Sequence, residues 1–411
     1  MTVVETETPG VHLERARDRT AHLDALADLL GGRVGLVEVA DNLKLTARES
    51  RLGRLGGRAV ERALAWNAHD SADPVWWPQG ITTSADASAL DAGALDASTP
   101  AGSAGRWHGR RLAVTTWYAK PHDGVRRGSR ISVLDLDTLR YRHVLLVDPG
   151  TDERGRPQFS PITVHAGGIV WAGEWLHVAA TRRGFLSFHL DDVLRIPDDN
   201  RQPQRIGVHH DDLPHPDTHH RAATPPASSF GHHYVLPARL THRATTDEGH
   251  EPLRHSFLSL DASSTQAALL VGEYGRGSQS TRLVRYPLDP ATGLPVSDAH
   301  GRSPAAHSHQ GVRQMQGVAV VDGRLHLSVS RGPFLPGSVY TGPCTGTPGA
   351  LRQHWFAQPI GPEDFSYSSP DDRIWAVSEH PRRRWVYSMR RDWFDHRRGF
   401  GHRGGFGRAR A

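Results

Sequence analysis

Cysteine is almost absent from this chain: Cys344 is the only one in 411 residues, which excludes a disulfide framework and any zinc site that needs two or more thiolates. Lysine is nearly as scarce. Only Lys44 and Lys120 occur, so 47 of the 49 Lys and Arg residues are arginine. With abundant Ala, Gly, Pro and Asp this has the look of GC-rich codon usage, and arginine abundance alone carries no function. No run approaches the ~18 apolar residues of a spanning helix; the most apolar early stretch, 29–40, is broken by Gly31, Gly32, Arg33 and Glu38. A hydrophobic fraction of 37% and a mean hydropathy of −0.51 fit a soluble chain without a membrane partner. The opening MTVVETETPG has neither a basic region nor an apolar core, so no signal peptide is visible and a cytoplasmic location is expected.

The sequence pI near 9.6 suggests nucleic acid, but its source is local. Residues 390–411 hold seven arginines against two aspartates, a surplus of five that equals the +5 of the whole chain. Nucleic acid is therefore a distant third among partners, behind a small molecule and a protein. The Arg/Gly/Phe tail, 392–411, reads as disordered.

Residues 1–75 differ in texture from the rest of the chain. Leu13, Leu23, Leu26, Leu29 and Leu30 recur at helical spacing up to Gly31 and Gly32, and Thr46 with Glu49 has the spacing of a capping box ahead of Leu52 and Leu55. This predicts an α-helical N-terminal extension. From Trp76 to about residue 391 the pattern changes to short β-rich runs separated by Gly, Pro, Asn or Asp, with no long amphipathic helix between them, which predicts an all-β barrel, sandwich or propeller. Two tracts read as loop insertions: the Ala/Ser/Asp/Gly stretch near 85–105, and the Pro/Asp/His stretch at 197–229.

Comparing the runs with one another chooses among these folds. Ile169-Val170-Trp171-Ala172-Gly173-Glu174-Trp175-Leu176-His177-Val178-Ala179 superimposes on Val318-Ala319-Val320-Val321-Asp322-Gly323-Arg324-Leu325-His326-Leu327-Ser328 almost residue by residue. Gln79-Gly80-Ile81 opens a similar passage, Phe365-Ser366-Tyr367 a more degenerate one, and Gly231-His232-His233-Tyr234-Val235 is a candidate for another. A recurring unit of short strands marks a propeller blade. Here the chain resembles the β-propeller superfamily, and the passages around His165-Ala166-Gly167-Gly168 and Gln316-Gly317-Val318 resemble uncharacterised bacterial propeller proteins, many of them secreted. The blades are placed at about 76–148, 161–197, 230–290, 314–360 and 364–391, five in all, with six as the other division the runs allow.

No phosphate loop, GxSxG elbow or CxxC pair is present. In a propeller the innermost strands line the central channel, so residues just before each Gly-Ile or Gly-Val step converge there. On this reading Gln79, Gln316, His233 and Tyr367 are substrate-binding, and His165 is a general base. His165 and His232 are also candidate ligands for a divalent metal on the axis. Among carboxylates near strand ends, Asp86, Glu174, Glu273 and Glu379, the last two close apolar strands and are candidate catalytic acids with His165. Trp77 and Trp171 could stack on a planar ligand. His209, His210, His215, His219, His220, His232 and His233 crowd one Pro-rich stretch, where adventitious metal capture is the expectation, and Cys344 reads as an ordinary loop thiol. The expected function is an enzyme doing acid–base chemistry (hydrolysis, elimination or cyclisation) on a small organic molecule at the channel mouth. The alternative is a non-catalytic propeller that binds a glycan, peptide or protein.

Overall fold

The computed structural model describes residues 10–90, 104–196, 203–212, 226–264, 266–305, 307–344 and 350–395. Strand dominates, at 47% against 13% helix, and it is laid out as a series of antiparallel sheets. The first sheet runs Trp76–Thr83, Leu112–Ala119, Ser129–Asp135, Arg140–Thr151. The second begins Ile169–Ala172, Trp175–Ala179, Phe185–His189 and continues with Leu240–Thr246. The third is Phe257–Asp261, Ala268–Gly272, Arg282–Pro287 and His307–Gln310; the fourth is Met315–Val321, Arg324–Val329, Ser338–Pro343 and Arg352–His354. The fifth is Pro362–Ser368, Arg373–Ser378 and Trp385–Arg390, completed by Val60–Ala65 from the N-terminal region. Local chemistry explains the hairpins. Asp322 and Gly323 both have positive φ (48° and 69°) and join two strands of the fourth sheet, as a two-residue Asp-Gly turn should.

The first strands of the five sheets pack in a cycle. Trp76–Thr83 lies against Ile169–Ala172 and Pro362–Ser368, Ile169–Ala172 against Phe257–Asp261, Phe257–Asp261 against Met315–Val321, and Met315–Val321 against Pro362–Ser368. Two glycines permit this approach. A Cβ on Gly168 would stand 2.1 Å from the Leu258 nitrogen, and one on Gly317 would stand 2.6 Å from Asp364 Cα. The axis is thereby pinched, and the Asp364 carboxylate fills the waist. Its Oδ2 accepts from the backbone N–H groups of Ile81 (3.4 Å) and Ile169 (3.3 Å), drawn from two other sheets.

Several sequence expectations are revised. Residues 11–75 contain the helix Thr20–Leu30, with Leu23, Leu26 and Leu30 buried and Gly31 at φ 95° closing it. They also supply strands: Val11–Asp18 pairs with Leu240–Thr246, and Val60–Ala65 pairs with Trp385–Arg390. The helix expected from Thr46 and Glu49 begins later. Ser50 caps Arg51–Leu55 by accepting from Gly53 N, while Leu45–Thr46 is strand. The Gly231–Val235 passage opens no sheet, because Tyr234–Pro237 adds parallel to the edge of Arg140–Thr151. The 85–105 tract starts as the helix Ser84–Ala89, whose Ala85, Asp86 and Ala87 are buried; residues 91–103 lie outside the described residues, as do the 396–411 part of the tail and His215, His219 and His220. Within 197–229, Ile206–Val208 pairs with Ala227–Ser229. No helix among the described residues is long and apolar enough to cross a membrane.

Candidate functional site

Three of the inner strands carry a register shift at the same place. The shifts fall between Pro78 and Ile81, between Met315 and Gly317, and between Pro362 and Phe365. A bulge redirects the side chains within it, and the residues inside these are Gln79 with Gly80, Gln316, and Glu363 with Asp364. The two amides each meet a carboxyl. Gln316 Nε2 donates to Glu363 Oε1 at 3.0 Å, and Gln79 Nε2 donates to Glu379 Oε2 at 3.1 Å. Glu379 follows the strand Arg373–Ser378, and its backbone carbonyl is gripped by the buried Arg384 (Nε, 2.8 Å), whose Nη1 is anchored on the carbonyls of Asp70 and Asp73.

Burial dominates the electrostatics. The Glu363 carboxyl, 3% exposed, is held well above the usual carboxylate range, first by loss of water and then by the charges of Glu379 and Asp364. Glu379 is raised too, by burial, against the pull of Gln79, Lys120 and Arg384; its side chain keeps 21% exposure, so it is the carboxyl of the two that a ligand can reach. Asp364 is likewise raised by burial, its backbone hydrogen bonds notwithstanding. Tyr118 feels two of these acids, being pushed up to about 12 by burial and by Glu379 and Glu363, and beside it stands His165, pushed down by desolvation and by Lys120. The rings of Tyr118 and His165 lie 4.5 Å apart. Trp77 pairs across the strand with Tyr118 and carries Lys120 Nζ 3.1 Å above its ring, with His380 edge-on at 5.6 Å. A cavity of about 360 Å³ opens beside His165 among Tyr118, Arg126 and Thr163, within the size range of small-ligand pockets. This arrangement offers carboxyls that hold their protons more tightly than in water, an imidazole that gives its proton up more readily, and a phenol, at one mouth.

Gln79, Gln316, His165, Glu379 and Trp77 are linked through Glu363, Tyr118 and Lys120. Other candidates are not. Glu273 is fully buried and accepts from Arg254 N (3.1 Å), Arg282 N (3.1 Å) and the Arg282 guanidinium (3.0 Å); these donors outweigh burial and hold it below the carboxylate range, so it is a structural anchor rather than a proton donor. Trp171 has no exposure, its indole donates to Gly173 O, and it packs on Trp107. Tyr367 sits at the far end of its strand, donating to Asp372 Oδ1 at 3.0 Å and lining, with Asp86, a separate cavity of about 550 Å³. His233 packs edge-on against Tyr234, and its carbonyl accepts from Ile196. His232 stands against Trp76 and His143 instead of beside His165, and burial lowers it to about 3. No group of three or more His, Cys, Asp or Glu among the described residues is placed to hold a metal. Cys344 is pushed up to about 12 by burial, consistent with an unreactive thiol.

Glu363 had a legible signal. Pro362-Glu363-Asp364-Phe365 aligns with Pro78-Gln79-Gly80-Ile81 and with Met315-Gln316-Gly317-Val318, whereas opening the copy at Phe365 moved Tyr367 to the mouth. A second cluster left no such trace. Ser132 Oγ lies 2.7 Å from His143 Nδ1, and His143 Nε2 lies 3.0 Å from Asp70 Oδ2, with Tyr141 and Arg130 also on Asp70. The connectivity is that of an acyl-transfer triad. However, Ser132 has no exposure and Asp70 only 3%, so no substrate reaches the hydroxyl, and the network ties two strands of the first sheet to the short helix Ala68–Ala72 ahead of Trp76.

No family model matches the chain, and no curated protein matches it. Among solved structures it is similar to the β-propeller domain of Cps50 (Swd1) from Myceliophteria thermophila (9% identity, 68% of this chain and 93% of that one, TM-score 0.31). It is also similar to a GH43_1 enzyme from Xanthomonas citri (9% identity, 90% and 92%, TM-score 0.29) and to Kuenenia stuttgartiensis hydrazine synthase (8% identity, 67% and 83%, TM-score 0.26). These are β-propeller proteins, and likeness of this degree says nothing about chemistry.

Proposed function

We propose that the five sheets are the blades of a five-bladed propeller and that the chain is an enzyme acting on a small organic molecule at one mouth of its axis by acid–base chemistry. The observation that carries this reading is the pair of carboxyls, Glu363 and Glu379, each fixed by one glutamine amide at a strand bulge. Ordinary surface acids are solvated; these are desolvated and oriented, and they act on Tyr118, which lines a cavity together with a neutral His165. In this reading Glu379 delivers a proton to a leaving oxygen and His165 removes a proton from water or from carbon on the other side. Tyr118 and Trp77 supply the wall against which the substrate lies.

The test is a panel of p-nitrophenyl glycosides and esters together with simple lactones, followed as rate against pH. Glu379 is needed protonated and has a raised pKa, while His165 is needed neutral and has a lowered one, so activity should peak at mildly acidic pH. Glu379→Gln and His165→Ala should each lower kcat/KM by about 10²–10⁴. Unchanged rates in both variants would refute the assignment. A second reading, a non-catalytic module for a protein partner, has one observation in its favour: Phe334, Leu335, Trp355 and Phe356 are exposed. It expects retained partner binding in Glu379→Gln and no turnover on any substrate.

A further inference from the structure

The mouth holds more uncommitted nitrogen than its acids account for. The side chains of Lys120, Arg126 and His165 form no hydrogen bond and no ion pair among the described residues. Their neighbours are committed: Arg127 is clasped by Asp123 at 2.6 Å and Arg130 faces Asp70 at 3.4 Å. Arg126 and His165 line the 360 Å³ cavity, and Lys120 follows Ala119 and precedes Pro121, which line it as well. Lys120 is half-buried, with the Trp77 face as its only contact of charge. Its nearest acid in electrostatic terms is Glu379, which is not within ion-pair distance and whose negative form burial disfavours. A desolvated ammonium without a counter-ion is costly, and an anion supplied by the ligand relieves that cost. It is also one of only two lysines in a chain that otherwise uses arginine.

We propose that Lys120 and Arg126 form an anion subsite, so that the molecule taken at the mouth carries a carboxylate or phosphate seated on these two groups while its uncharged portion lies against Tyr118, His165 and Glu379. This rests on the acid–base reading and names the class of substrate for it. The anion stands at the rim, where cations meet it, and the reacting bond stands at the floor, where the carboxyls are. Such a division gives orientation, because a ligand turned end for end would put its charge beside the two acids.

The experiment compares glucose, glucuronate and glucose 6-phosphate, three hexoses alike in ring and different in charge, by isothermal titration calorimetry at low ionic strength. A charge-assisted contact in a partly buried site predicts that at least one anion binds about tenfold or more tightly than glucose, with the advantage shrinking in salt. Lys120→Met keeps the packing on Trp77 and removes the charge; Arg126→Ala alters only an exposed side chain. The double variant should bind all three hexoses alike, and the exposed Lys44→Met should change nothing. Which anion keeps the advantage distinguishes a carboxylate from a phosphate ligand. Equal binding of glucose and both anions, no binding of any of the three, or a preference that survives the double variant would overturn the proposal. Glu379→Gln separates the two readings: turnover lost with the anion preference intact supports both, and anion preference without any turnover sinks only the enzyme.

Discussion

Replacing Glu363 with glutamine should stabilise the protein, and increasingly so as the pH rises. The Gln316 amide keeps an oxygen to donate to, and the change in shape is small, so the main difference is that glutamine cannot ionise. In the native state the Glu363 carboxyl is raised well above its usual value by burial and by Glu379 and Asp364, whereas in the unfolded chain it titrates near 4.5. A raised acid binds its proton more tightly when folded, so its contribution is fully present below the unfolded value and is lost as pH climbs toward the folded one. Over that window the wild type should lose about 1.4 kcal/mol per pH unit relative to Glu363→Gln, the value for one proton. Two units of window would give about 2.7 kcal/mol, a large share of the 5–15 kcal/mol that holds a typical domain folded. Urea unfolding followed by tryptophan fluorescence at pH 4.5, 6.0 and 7.5 measures the difference directly. The pH at which it stops growing reads out the folded-state pKa. A difference independent of pH would mean that the carboxyl ionises in the folded protein as it does in water, and the account of the mouth as a reservoir of protonated acid would fail.

Gly168→Ala should cost more than about 3 kcal/mol or prevent folding, since its methyl would land 2.1 Å from the Leu258 nitrogen where two inner strands touch; an unchanged melting temperature would mean that the axis is not pinched there. Glu273→Gln should destabilise by about 3 kcal/mol by stranding the Arg282 and Arg254 charges, yet leave hexose binding at the mouth as in the wild type, and a selective loss of binding would restore Glu273 to the site. Ser132→Ala should lower stability by about 1–2 kcal/mol through the lost bond to His143 and leave any hydrolytic activity intact; abolition of ester turnover would show that the sealed triad opens.

Much of the β architecture is written locally. Alternating apolar runs, Asp-Gly turns and the near-identity of the 169–179 and 318–328 passages depend on neighbours within about a dozen residues, and those hairpins form where the pattern places them. The Gln-Gly steps at 79–80 and 316–317 were equally legible, because a bulge and a close approach both leave a mark on the residue that makes them. The partners of these residues were not. Glu379 lies 300 residues from Gln79, and whether a strand-end acid such as Glu273 or Glu379 keeps its proton depends on which donors the folded chain turns onto it. Glu273 received two arginines and became an anchor, while Glu379 received an amide and a mouth. Nor could periodicity show that Val60–Ala65 leaves the N-terminal region to complete the fifth sheet, since an edge strand is chosen by the open edge that awaits it. Strands, their turns and the tight glycine steps are short-range steric and solvation effects, and the order of amino acids is enough to specify them. Which acids are desolvated together is fixed only when the chain has folded, because burial and charge proximity are properties of the assembled axis and not of any one segment.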